Sequence, residues 1–327
     1  MLNSKFKKPD LILDLYAESG NIGVWYCDKI TGEDEVSEEW AQMIGYHAEE
    51  LNPMSDEKFL SLIHPDDLKS SLPKINEFYY GHTNTYENEF RFRHKEGHYV
   101  WVLSQAKIYS RENDRPKLII GTHINIDDQK KSVEKLRKLT MSIISAFSMV
   151  IELKDRYTKH HLESTAEIAV KIGKKIGMTY EEQEQLWMAG HLHDLGKVQI
   201  PIEILNKEGR LTKEEYEVIK THSLYGYEIL KEFDFGFPLA DIVAQHHERL
   251  DGSGYPKGLK GDEIHYMAKI IAVADVLDAL QSDRSYRSKM SKDEIITILK
   301  AGAGIHFEPE LVKVCCELLM SPNDEIT

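Results

Sequence analysis

The sequence predicts a two-part protein, a mixed α+β unit built on an antiparallel sheet followed by an all-α helical bundle. Three observations carry that prediction. Alternating aromatic and branched residues crowd the stretch from Tyr86 to Asp127, as a half-buried sheet requires. From Leu139 onward the apolar spacing is helical, with no strand-like alternation. And 327 residues are enough for each part to bury its own core.

Taken in order, "NIGVWYCD" alternates like a strand and meets a turn signal at Thr31-Gly32. "EEWAQMIGY" and "EKFLSLIHPDDL" read as short helices, the second ending before His64-Pro65. "YENEFRFRHKEGHYVWVLSQAKIYS" and "PKLIIGTHINID" supply three antiparallel strands. They are separated by a hairpin signal at Lys95-Glu96-Gly97 and a polar break at Arg111–Asp114. The first domain is therefore expected over 1–126. A charged connector helix follows over 127–140, with apolar residues at Val133, Leu136 and Leu139. It is read either as a solvated helix or as a short parallel coiled coil joining two protomers. The bundle is expected over 141–327. Three of its helices open with a capping box: Thr179 with Glu182, Thr212 with Glu215, and Ser291 with Glu294.

A formal net charge of −14 argues against nucleic acid or an anionic membrane as a general partner. Local cations or bound metals would still let a cleft accept an anionic small molecule. Cys27, Cys315 and Cys316 make no disulfide framework and suit a reducing cytoplasm. The first residues lack a signal-peptide core. The apolar stretch Leu139–Ile151 is too short to span a bilayer, so a cytoplasmic protein is expected.

Metal-type ligands recur at five places in the bundle: His160-His161, His191-His193-Asp194, His222, His246-His247 and Asp275. They fall roughly 24 to 33 residues apart, an interval that can return each to one end of a helical bundle. Asp275 lies in the apolar run "IIAVADVLDAL", where a buried carboxylate is costly unless paired or bound to metal. Nitrogen and oxygen ligands without thiolates suit iron, manganese, zinc or magnesium. Adjacent ligands such as His193-Asp194 suggest more than one ion, and two metals sharing a hydroxide are a recurrent means of attacking phosphate esters.

Two resemblances follow. "GVWYCD", "MIGY", "LIHPDDL", "FRFRHKEGHYVWV" and "GTHINIDDQKK" resemble a PAS domain, which implies a sensor acting through its C-terminal helix. His47, His64, His82, His94 and His98 raise haem as its ligand, with an empty or partner-sensing pocket preferred. In chain order, "HLHDLGK", "GYEIL", "HHERLDGSGYP", "VADVLDAL", "SDRSYR" and "AGIHFEPELV" resemble the motifs of the HD-GYP family of cyclic di-GMP phosphodiesterases, within the HD superfamily of metal-dependent phosphohydrolases.

The second resemblance implies one metal held by His161, His193, Asp194 and Asp275, with Asp194 bridging to a second held by His222, His246 and His247. It implies that Lys197 holds a phosphate oxygen, that Arg284 and Arg287 grip the other phosphate, and that Gly254, Tyr255 and Pro256 lie near the substrate. A hydroxide bridging two iron or manganese ions would attack one phosphodiester, giving pGpG and further hydrolysis to GMP. Tyr157 stands where some members place an acid for a third metal, which favours two. The alternatives are a slow cyclic-dinucleotide or partner-binding adaptor, and a phosphodiesterase for a mixed cyclic GMP–AMP. The expected assembly is a homodimer through the sensor and connector, with room for a signalling-protein partner.

Overall fold

A computed structural model of the chain describes residues 22–80, 82–155, 160–282 and 289–321. The chain divides into two compact units, Met1–Arg137 and Lys138–Thr327. In the first, β1 (Ile22–Asp28) turns through Gly32 into β2 (Glu33–Val36), and Ser37 caps α1 (Glu38–Met43) by accepting from the Trp40 N–H. Then come α2 (Ala48–Leu51), α3 (Asp56–Leu62) and α4 (Pro65–Tyr79). β3 (Thr85–Arg93), β4 (Tyr99–Glu112) and β5 (Arg115–Asn125) complete a five-stranded antiparallel sheet in the order β2-β1-β5-β4-β3.

Two of these elements depart from expectation. β2 is nearly all acidic and is held by pairing with β1, so no alternation announces it. α4 begins where a helix stop was read. Pro65 sits in its first turn, where a missing N–H costs nothing, and the His64 ring accepts from the Asp66 N–H. The polar break at Arg111–Asp114 narrows to Asn113 and Asp114, with φ of 52° and 62°, because Glu112 still pairs with Arg115.

The sheet packs its inner face, including Phe90, Phe92 and Val102, around Trp40. At the centre sits a histidine that sequence reading passed over. His123 is wholly buried, 5.1 Å from the Phe92 ring, and its Nδ1 accepts from the Trp40 indole N–H. His47, His64, His82, His94 and His98 are all at least partly exposed. Beside His123, Trp25, Cys27, Asp34 and Phe59 line a cavity of about 30 Å³, room for water-sized molecules and far less than a porphyrin.

The helical spacing expected to continue from the charged connector into the apolar stretch does so. α5 (Asp127–Lys154) runs on unbroken through the apolar stretch. One face buries Ile144, Ser148 and Ile151, while Val133, Leu136, Leu139, Ile143, Phe147 and Val150 are exposed. The second unit continues helical: α6 (His161–Lys175), α7 (Tyr180–Leu192), a 3₁₀ turn (Leu195–Gln199), α8 (Ile202–Leu205), α9 (Lys213–Lys220), α10 (His222–Leu230) and α11 (Leu239–Gln245). A second 3₁₀ turn (Gly261–Glu263) precedes α12 (Tyr266–Gln281), α13 (Lys292–Gly302) and α14 (Pro309–Met320). All three expected capping boxes form. α12 is apolar nearly all round and runs through the core, burying Ile270, Ile271, Val273, Ala274 and Leu277. Among the described residues no helix is long and apolar enough to cross a membrane.

Candidate metal centre and cleft

The site is assembled at helix ends. The last carbonyls of a helix have no partner within it. In three places a histidine ring supplies one: the Nδ1–H of His193 donates to Gly190 O at 2.7 Å, that of His222 to Ile219 O at 2.7 Å, and that of His246 to Val243 O at 2.5 Å. Each ring thereby caps the carbonyl three residues earlier, at the ends of α7, α9 and α11. With Nδ1 carrying the proton, each Nε2 presents a lone pair on its other side.

Those lone pairs converge. His222 Nε2 lies 3.3 Å from His246 Nε2 and 3.4 Å from Asp194 Oδ1. Asp194 Oδ2, the other oxygen, lies 3.6 Å from His193 Nε2 and 3.9 Å from His161 Nε2. His161, at the start of α6, also sets Nε2 3.3 Å from Asp275 Oδ1, and His247 Nδ1 stands 4.0 Å from Asp275 Oδ2. Three donor groups result, each within 4.8 Å: His161 with His193 and Asp275, His193 with Asp194 and His246, and His222 with His246 and His247. Burial and neighbouring imidazoles push His246 and His247 well below the usual histidine range, so both rings are neutral. Two facing lone pairs with no proton between them call for an electron-pair acceptor, and this nitrogen and carboxylate set fits divalent cations.

All seven expected ligands therefore come together. Support comes from residues that sequence reading did not single out. Asp278, one turn beyond Asp275 on α12, takes the His161 Nδ1–H at 2.5 Å and fixes that ring. Its signal was the Asp-x-x-Asp spacing in "VADVLDAL". Asp155 and Asp194 each place a carboxylate oxygen 2.8 Å from Lys197 Nζ. Burial opposes the Lys197 charge, but the two carboxylates outweigh it and hold its pKa above the ordinary value. Burial likewise opposes ionisation of Asp194, yet Lys197 and the surrounding imidazoles keep it well below the usual carboxylate range.

Glycine makes two close approaches possible. A Cβ on Gly196 would lie 1.8 Å from His222 O, so only glycine lets the turn after Asp194 press onto α10. A Cβ on Gly254 would lie 2.4 Å from His247 O, and the loop folds back over the two histidines. Glu248 pins that loop by accepting from the Lys257 and Leu259 N–H groups at 2.7 and 2.9 Å.

The donors open onto a cleft of about 480 Å³ whose walls include Lys197, Lys207, Tyr216, Arg249 and Tyr255. Tyr255 lies against His247, rings 4.6 Å apart, whereas Gly254 and Pro256 do not line the cleft. Gly254 acts through backbone packing. Arg284, Arg287 and Tyr157 lie outside the described residues. His160 is exposed at the start of α6, and buried His191 turns away to bond Trp187 O at 3.0 Å.

Comparison with known proteins agrees with this division. A family model described as HD domain matches residues 145–311, and one described as PAS fold matches residues 33–123. The 3'3'-cGAMP-specific phosphodiesterase 1 of Vibrio cholerae is 38% identical over 53% of this chain and 39% of its own length. The cyclic di-GMP phosphodiesterase response regulator RpfG of Xanthomonas campestris is 39% identical over 55% of the chain and 48% of its own length. A cyclic di-GMP phosphodiesterase of Thermotoga maritima is 36% identical over 54% and 48%. The chain thus spans half or less of the length of these relatives.

Proposed function

The chain belongs to the HD domain family, and on that premise we propose that its second unit is a metal-dependent phosphodiesterase that opens a cyclic dinucleotide, cyclic di-GMP in the first instance. The observation that carries the proposal is the convergence of imidazole lone pairs on Asp194, whose two oxygens face different histidines. That arrangement supports two ions sharing Asp194. His161, His193 and Asp275 would hold one, and His222, His246 and His247 the other. Iron or manganese is the proposed ion, since both accept mixed imidazole and carboxylate donors. Bound there, divalent metal supplies a water of lowered pKa and neutralises charge on the phosphate.

The remaining work falls to the chain's own residues. The Nδ1 bonds hold the histidine rings without rotation, so no reorganisation accompanies reaction. Lys197, fixed between Asp155 and Asp194, keeps a positive charge at the donor cluster, where it can donate a hydrogen bond to a phosphate oxygen. Tyr255 borders the cleft and orients the sugar–phosphate ring. The product is the linear dinucleotide pGpG, with GMP on further hydrolysis.

The relatives divide between cyclic di-GMP and 3'3'-cGAMP by name, and both substrates belong in the assay. We further propose that the PAS-like unit regulates turnover, and that the protein dimerises through the exposed stripe of α5. Three buried free cysteines support a reducing, cytoplasmic setting. Turnover by the metal-loaded full chain tests the reading. Asp194→Ala is expected to lower it by orders of magnitude with the helical circular dichroism retained. Undiminished turnover in that variant would contradict the site.

A further inference from the structure

Among the described residues three cations, Lys197, Lys207 and Arg249, line the cleft, and the first two are matched. Lys197 sits between Asp155 and Asp194, and Lys207 meets Glu215 at 2.6 Å. The third, Arg249, has no carboxylate within ion-pair distance among the described residues. Its Nη1 donates to His246 O at 3.2 Å and Glu248 O at 2.8 Å, and its guanidinium lies 5.3 Å from the Phe307 ring centroid. Backbone and ring thus fix the guanidinium by one edge. Nε and Nη2, the opposite edge, donate to nothing among the described residues. A half-buried cation fixed in place with an open two-donor edge is a preformed anion site, because removing such a charge from water is costly unless an anion meets it.

We infer that Arg249 forms a phosphate-binding subsite in the cleft, taking two oxygens of one substrate phosphodiester along its free edge. The inference rests on the phosphodiesterase reading above. The coplanar Nε–H and Nη2–H match the spacing of two phosphate oxygens, a bidentate geometry that lysine does not reproduce. A cyclic dinucleotide carries two phosphodiesters, so it can meet Arg249 and the Lys197 side of the cleft together. Arg249 directly follows the "HHE" run, so the histidine capping that orients His246 also sets this grip. No sequence pattern marks it, since an arginine after an acid reads as an ordinary surface charge.

The test compares the metal-loaded full chain with Arg249→Gln and Arg249→Lys. Arg249→Gln is expected to raise KM for cyclic di-GMP roughly 10- to 100-fold, the loss of a charge-assisted pair of hydrogen bonds, with metal content unchanged. The dependence of KM on salt should flatten in Arg249→Gln, and Arg249→Lys should recover part of the affinity. A purely structural arginine would alter neither the salt dependence nor the rescue. An unchanged KM, or a loss of metal accounting for the whole effect, overturns the subsite. If the unsubstituted protein neither binds nor cleaves cyclic di-GMP, the phosphodiesterase reading fails, and titration with inorganic phosphate then judges the subsite alone. Weaker phosphate binding by Arg249→Gln upholds it, and equal binding overturns it.

Discussion

The Nδ1 bonds of His193, His222 and His246 decide which nitrogen each ring can offer, and the Asp278 carboxylate decides it for His161. Asp278→Asn keeps the shape but removes the charge that holds the His161 ring. It should weaken binding of the first metal by about 10- to 100-fold, read by equilibrium dialysis. Unaltered affinity would leave Asp278 a bystander. The ligand residue types were legible in the sequence because imidazole and carboxylate side chains advertise their chemistry. Asp278, Asp155 and Arg249 were not, because their roles depend on which atom faces which, and spacing alone does not say. His123 was missed for the opposite reason. A histidine among branched residues looks like part of a strand, and only the closed packing around it makes it unusual. Burial lowers its pKa to about 3, against about 6.5 in an unfolded chain. As pH falls below about 6.5 the unfolded chain binds a proton that the folded unit refuses. The contribution of His123 is therefore intact above that pH and is lost progressively as pH falls toward 3. Denaturant unfolding followed by tryptophan fluorescence should show a shallower acid slope in His123→Phe, and equal slopes would refute the assignment.

Among the elements, α5 carries the clearest two-sided pattern. Ile144, Ser148 and Ile151 face the core of the second unit, and Ser148 Oγ donates to His191 O at 2.9 Å. At its end Lys154 Nζ donates to Val198 O and Ile200 O at 2.6 and 2.7 Å, within and just after the turn that carries Lys197. The helix therefore holds the segment next to the metal donors while apolar side chains on its other face are exposed. Leu136, Ile143, Phe147 and Val150 recur at the spacing of a coiled-coil seam, which supports pairing with a second copy. Phe147→Glu should shift the chain from dimer to monomer in sedimentation analysis while leaving metal content intact. A dimer undisturbed by that change would place its interface elsewhere. The helical period of α5 and the capping boxes were plain in sequence, since both are local. The helical spacing of the charged connector was expected to continue into the apolar stretch, and α5 carries both in one helix. β2 and α4 were lost for want of alternation and through a proline read as a stop rather than a start.

For the whole molecule, the proposal is that one end of a helical unit gathers seven donors from five separate regions of sequence to hold two metals that cleave a cyclic dinucleotide. The fold class was legible because each unit repeats one periodicity over long stretches, period two in the sheet and 3.6 in the bundle. The cleft was not, because its walls combine helix faces with loops brought together by close approaches at Gly196 and Gly254 rather than by any pattern. The most direct measurement is the metal content of the full chain purified without oxygen, taken with its turnover of cyclic di-GMP on the same sample. The account predicts two iron or manganese ions per chain and a linear dinucleotide product. A chain that retains no metal under those conditions, or that cleaves the dinucleotide equally well without it, would contradict it.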